Sequence, residues 1–87
     1  ILAKSKPDLI FLDLAMPDVN GFSLCRFLRQ TSRFKEVPIA ILSKQDDWIT
    51  RVRAKISGAS DFLSKPASSK KILALVDKYL KGSQNSN

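Results

Sequence analysis

The 87-residue chain has no histidine and a single cysteine, Cys25. That scarcity removes a zinc site and a histidine-dependent catalytic triad, and with them most hydrolase chemistry. A lone cysteine builds no disulfide framework, so Cys25 is expected as a small packing residue in a reducing cytoplasm. No apolar run approaches the ~20 residues of a membrane span, and Ile1-Leu2-Ala3-Lys4 is not a signal peptide, so no membrane partner is expected. Acidic residues are also few, 8 against 15 Lys and Arg, which leaves a formal charge of +7. A surplus of this sign attracts phosphates. The bases are nevertheless spread along the chain, with the densest group at Arg51, Arg53 and Lys55 and another pair at Lys70 and Lys71. Arg51 and Lys55 share a helical face, Arg53 does not, and neither interleaved aromatics nor a reading helix accompanies them. They read as solvated helix faces or as a docking surface for an acidic partner.

What the chain does contain is a globular composition, 44% hydrophobic and 26% charged. Its length fits one domain with little margin, since so short a chain buries only roughly 60–65% of its unfolded surface. It opens on Ile rather than Met, and a segment upstream is expected. Ile1 to Ser5 reads as the tail of a helix, and Lys6-Pro7-Asp8 as the breaker after it. Leu9-Ile10-Phe11-Leu12 is an uninterrupted apolar run, as suits a strand covered on both faces, and it ends at Asp13. Asn20-Gly21 punctuates a turn ahead of a helix from Phe22 to Gln30, with Leu24, Phe27 and Leu28 at helical spacing. Thr31 to Val37 reads as a polar connector closed by Pro38. Ile39-Ala40-Ile41-Leu42 is a second strand, ending at Ser43.

A helix from about Asp46 to Ser57 follows, with Asp46 or Asp47 as N-cap and Gly58 as stop. Ser60 to Ser64 makes a third strand, ending at Lys65-Pro66. The last helix starts near Ser68 or Ser69 and sets Ile72, Leu73, Val76, Tyr79 and Leu80 on one stripe. Residues 1–81 are therefore expected to form one α/β domain, in which three parallel strands alternate with helices through right-handed crossovers. Residues 82–87 are expected as a disordered polar tail.

Three polar residues each follow an apolar strand: Asp13, Ser43 and Lys65. In a parallel sheet all three strand ends face one edge, where open α/β sheets keep their chemistry. A carboxylate, a hydroxyl and an ammonium gathered there suit phosphoryl transfer to the carboxylate, with the hydroxyl and the cation stabilising charge on the phosphoryl oxygens. Taken singly, Asp13 also suits a helix or turn cap, Ser43 a capping hydroxyl, and Lys65 a solvated strand-end charge. Asp18 and Asn20 read as turn formers.

Over almost its whole length the sequence resembles the receiver domain of bacterial two-component response regulators. Pro7 to Asp13, with Met16-Pro17 and Gly21, is similar to the family's phosphoacceptor strand and the loop after it. Pro38 to Ser43 is similar to the fourth strand with its switch hydroxyl, and Gly58 to Pro66 to the fifth strand with its phosphate-contacting lysine. The resemblance implies a flavodoxin-like doubly wound parallel sheet, of which this chain holds the third, fourth and fifth strands. It implies Asp13 as phosphoacceptor, Ser43 as the hydroxyl that moves toward the phosphoryl group, Lys65 as its charge partner and Phe62 as the switch aromatic. It further implies Mg2+ held in part by Asp13 and the Ala15 carbonyl, and a cis Lys65-Pro66 bond.

The implied partner is a histidine kinase or phosphotransfer protein, and the implied role is signalling rather than enzymatic turnover. Nucleic acid would be engaged only through an output domain outside this sequence. The family's first strand, whose acidic pair completes the magnesium site, is not in the sequence, so the isolated chain is expected to be labelled weakly or not at all. A competing expectation is a phosphorylation-independent interaction module, needing neither magnesium nor Asp13. An unpaired edge on the Leu9 to Leu12 strand predicts a homodimer formed through that strand or the helix faces beside it.

Overall fold

The computed structural model describes residues 7–84. Three strands and three helices alternate: β1 (Ile10–Asp13), α1 (Gly21–Gln30), β2 (Ile39–Ser43), α2 (Trp48–Ser57), β3 (Asp61–Ser64) and α3 (Ser69–Gln84). The strands form one parallel sheet in the order β1-β2-β3. This is the expected α/β architecture. The most apolar strand takes the centre, where both faces are covered, and Ile39, Ala40 and Ile41 are fully buried. Ile10 stands beside Ile39 and Asp13 beside Leu42, while Ala40 stands beside Asp61 and Ser43 beside Ser64. Side chains alternate between faces along each strand, so this register sorts the sheet into two sides. Leu12, Ile39 and Ile41 join Cys25, Leu28 and Ala54 in the core beneath α1 and α2. Phe11, Ala40 and Leu63 point to the side on which α3 lies.

Local chemistry explains where the helices begin and end. Asn20 caps α1, its side chain accepting from the backbone N–H groups of Phe22 and Ser23. Asp47 caps α2 by accepting from Thr50, and α2 stops at Gly58, whose φ of 105° is the left-handed conformation that glycine adopts without strain. The Ser68 hydroxyl accepts from the Lys71 N–H at the start of α3.

Several expectations are corrected. The segment from Thr31 to Val37 is more than a polar connector, because Phe34 and Val37 are buried among the largest core side chains. On α3 the buried residue is Leu75, while Leu73 is exposed. The covered stripe is thus Ile72, Leu75, Val76, Tyr79 and Leu80, a cleaner helical spacing than the expected one. Phe27 on α1 is likewise exposed, and Cys25 and Leu28 carry the buried face. The last helix reaches Gln84, so residues 82–84 extend it rather than begin a tail. A single glycine near a helix end costs only about 1 kcal/mol and does not stop it. The expected helix tail at Ile1 to Ser5 and residues 85–87 lie outside the described residues.

Arg29 ties the end of the sheet opposite the strand carboxyl termini. Its Nε donates to the Gly58 carbonyl at 2.6 Å, one terminal nitrogen donates to the carbonyls of Phe34, Lys35 and Val37, and the other to the Ser60 hydroxyl. One guanidinium thereby satisfies carbonyls from the α1–β2 turn and the end of α2.

Candidate functional site at the carboxyl edge of the sheet

Asp13 is the last residue of β1, Ser43 the last of β2, and Lys65 follows the last residue of β3. Parallel pairing puts all three at one edge. The ladder continues one step past the strands: the Leu14 N–H donates to the Leu42 carbonyl at 3.0 Å, and the Lys65 N–H to the Ser43 carbonyl at 2.8 Å. These bonds fix where each loop leaves the sheet. β1 and β3 are separated by β2, a gap of about 10 Å at ordinary strand spacing. The Lys65 side chain crosses it over the end of β2 and places Nζ 2.6 Å from Asp13 Oδ2. Asp13 Oδ1 accepts from the Ala15 N–H at 2.8 Å, which folds the following loop around the carboxylate.

The Lys65 hydrogen bond first, and the Ala15 N–H second, hold the Asp13 carboxyl below the usual carboxylate range. Asp13 is therefore ionised at neutral pH. The Ser43 hydroxyl is buried and its oxygen accepts from the Gln45 N–H at 3.0 Å. Ser43 also lines a groove of about 590 Å³ shared with Leu14, Ala15, Asp18, Asn20 and Arg53. The structure thus joins Asp13 to Lys65 through their side chains, and joins Ser43 to Lys65 through the backbone. The peptide bond between Lys65 and Pro66 is cis.

Phe62 lies on β3, three residues before Lys65 and half-buried. The Arg51 guanidinium sits over its ring at 4.8 Å. Arg51 pairs with Asp46, which also accepts from the Ser64 hydroxyl. Arg51 first and Ser64 second lower the Asp46 carboxyl below its usual range. The sequence places Asp46 only among possible caps. Asp47 takes that role, and Asp46 is thereby left to bridge α2 and β3. Asp46 precedes the cap and lies five residues from Arg51, outside the i, i+3 and i, i+4 spacings of a helix, so neither this pair nor its partners on β3 carried a sequence signal.

For a divalent metal the edge offers the Asp13 carboxylate and, in the loop that wraps it, the Ala15 carbonyl. Among the described residues no group of three or more His, Cys, Asp or Glu is gathered to hold one. Mg2+ takes six oxygens, commonly from one or two carboxylates together with waters and phosphate oxygens. These two donors make a partial site.

Likeness to known proteins bears on this geometry. The family model described as response regulator receiver domain matches residues 1–77. The alkaline phosphatase synthesis transcriptional regulatory protein SphR of Synechococcus elongatus is 42% identical over 79 residues, which are 91% of this chain and 30% of that protein. The chemotaxis protein CheY4 of Vibrio cholerae superposes with a TM-score of 0.81 at 28% identity, over 88% of this chain and 64% of that one. The receiver domain of sensor histidine kinase PA1611 from Pseudomonas aeruginosa, a structure with a magnesium ion coordinated in its active site cleft, gives a TM-score of 0.77. It is 24% identical over 87% of this chain and 62% of that one, a likeness of fold. The chain spans less than two thirds of each of these proteins.

Proposed function

Because the chain belongs to the response regulator receiver domain family, we propose that Asp13 is its phosphoacceptor, with Lys65 as charge partner of the phosphoryl group and Ser43 as the hydroxyl that moves toward it. Receiver domains are signalling modules of two-component and phosphorelay pathways, and Mg2+ binding is typical of them. The observation that carries the reading is the 2.6 Å contact between Lys65 Nζ and Asp13 Oδ2 across the end of β2. A cation held on a strand-end carboxylate both keeps that carboxylate ionised and waits where phosphoryl oxygens would arrive.

The donor is a histidine kinase or phosphotransfer protein. An Asp13 oxygen attacks phosphorus in line, the P–N bond of the donor phosphohistidine breaks, and its electron pair stays on the ring nitrogen. Lys65 then follows the negative charge from the carboxylate to the phosphoryl oxygens. The Ser43 hydroxyl accepts the Gln45 N–H through its oxygen, so its own proton remains to be donated to a phosphoryl oxygen. Phe62, held from outside by Arg51, is the switch aromatic. Mg2+ neutralises phosphoryl charge when bound, with Asp13 and the Ala15 carbonyl as this segment's donors. The whole protein acts in the cytoplasm and meets nucleic acid only through an output domain. Among the described residues no helix is long and apolar enough to cross a membrane.

The test is labelling of the full-length protein by a small phosphodonor with Mg2+. One phosphoryl group is expected on Asp13, Asp13→Asn removes it, and Lys65→Ala lowers its yield. Labelling that survives Asp13→Asn refutes the assignment.

A further inference from the structure

The two helices over the core carry charge of one sign. α1 holds Arg26 and Arg29, α2 holds Arg51, Arg53 and Lys55, and neither helix contains an acidic residue. Two of these cations are engaged, since the Arg29 guanidinium meets backbone carbonyls and Arg51 pairs with Asp46. Arg26 and Arg53 form no ion pair among the described residues. Both line one groove of about 190 Å³ between α1 and α2, together with Asn20, Phe22, Ser23 and Ile56. The Arg53 guanidinium lies over the Phe22 ring, 4.4 Å from its centre, which ties α2 to the first turn of α1. Crossovers of one hand on one side of a parallel sheet lay the two helices in parallel. Arg26, one turn beyond Phe22, then comes level with Ile56, one turn beyond Arg53. The two cations thus stand diagonally across the groove, with the Phe22 ring and the exposed Ile56 side chain as the apolar surface between them.

We propose that this groove docks an acidic segment of a partner protein, two carboxylates meeting Arg26 and Arg53 while an apolar side chain between them covers Ile56. Charge complementarity selects that occupant. A guanidinium is a planar fork that fits a carboxylate through two parallel hydrogen bonds, and Arg53 loses little freedom on binding because it already rests on Phe22. The groove is smaller than the roughly 300–1,000 Å³ of sites that enclose a small molecule, so it suits single side chains of a segment that continues over the surface. A nucleic-acid strand fits it less well. Its backbone calls for a run of cations and its bases for a free aromatic face, whereas a face of the Phe22 ring is taken by Arg53. The groove includes none of Asp13, Ser43 and Lys65, so the contact it makes needs no phosphoryl group. Exposed ion pairs of this kind are screened by salt, and the association is weak.

The probe is a dye-labelled peptide, acetyl-Gly-Glu-Leu-Leu-Glu-Gly amide, titrated with the full-length protein and followed by fluorescence anisotropy. Saturable binding that weakens as salt rises is expected. Arg26→Glu and Arg53→Glu should each weaken it by about tenfold or more. Ile56→Ser should weaken it as well, while Lys70→Glu, an equal change of net charge at an exposed site on α3, should not. A peptide with Lys in place of Glu should fail to bind the unaltered protein and should bind the Arg26→Glu, Arg53→Glu double variant. Asp13→Asn should leave the titration unchanged. Absence of saturable binding overturns the proposal. So does a loss in Lys70→Glu as large as in the arginine variants, which would reduce the effect to net charge. So does tighter binding of a thymidine oligonucleotide through the same two arginines, which would assign the face to nucleic acid. If a variant fails to fold, the unaltered protein decides the matter. It should bind a peptide with Ser in place of Leu more weakly and the Lys peptide not at all, and equal binding of all three peptides overturns the proposal.

Discussion

The two faces of the sheet are built from the same three strands and differ in what covers them. Beneath α1 and α2, Leu12, Ile39 and Ile41 are sealed by Cys25, Leu28, Phe34, Val37 and Ala54. On the other face α3 lies over the β3 side, where the Tyr79 hydroxyl donates to the Ser60 carbonyl and to Asp61, and Lys78 pairs with Asp61. At the far side of that face Phe11 is 38% exposed. The closed face is packed mainly by apolar side chains, whereas the open face carries the contacts to Asp61, with Asp13 and Asp61 both on it by register. Burial thus holds the first face along its strands, and charge pairs that can exchange partners occupy the second, while the closed side turns polar only at its carboxyl edge, where Ser43 and Ser64 stand in register and Ser64 donates to Asp46.

The sharpest way to break that division is to cut one large apolar side chain on each side. Ile41→Ala opens a cavity in the closed face and should cost about 2–5 kcal/mol, read as a lower denaturant midpoint. Phe11→Ala removes a larger side chain from a partly solvated position and should cost less than Ile41→Ala. If the two losses are equal, the faces are not energetically distinct. Next in size is Arg29→Ala, which strips partners from carbonyls of Phe34, Lys35, Val37 and Gly58 at the base of the closed face. Leaving such groups unmet costs about 1–3 kcal/mol. Arg29→Lys should recover only part of it, because an ammonium cannot reach this fan of acceptors from one plane. Gly58→Ala should destabilise by a smaller amount, since φ is 105° there and the added methyl group would crowd the stem of Arg29.

How legible these features were in the sequence follows from which forces are local. Strands β1 and β2 could be read directly because Leu9 to Leu12 and Ile39 to Leu42 are apolar without alternation, the pattern of parallel strands covered on both faces. Asp13 and Ser43 were legible because each terminates such a strand and Lys65 because it follows the short Asp61–Ser64 strand, and parallel pairing alone then brings the three to one edge. Phe34 and Val37 were not, since a segment with Thr31, Arg33, Lys35 and Glu36 has the composition of a loop. Its two apolar residues count as core only once the turn folds them beneath β2. Arg29 was equally silent, because five acceptors scattered from Phe34 to Ser60 converge on it only after the chain has closed. On α3 the choice between Leu73 and Leu75 depends on which side of the helix meets the sheet, and both fit a helical stripe when read alone.

The smallest effect probes the open face by pH. Asp13 is lowered by its hydrogen bond from Lys65 and then by the Ala15 N–H. For Asp61, burial acts to raise the carboxyl, but the Phe62 N–H, Lys78 and Tyr79 together outweigh it, and the net direction is down. A carboxyl whose folded value lies below its unfolded one, about 3.9 for aspartate, binds a proton more readily in the unfolded chain. Its contribution to stability is therefore complete above that unfolded value and fades as pH falls through the lower folded one. Both groups are partly solvated, so each contribution is modest. Stability measured by denaturant from neutral pH into the acid range should be flat at first and then decline below about pH 4. Asp13→Asn and Asp61→Asn should each make that decline shallower, and the pair of changes more so, while Ile41→Ala should lower the whole curve without altering its slope. An acid decline that persists unchanged in the double variant would place the pH-sensitive contacts elsewhere, and the polar open face would lose its distinction from the closed one.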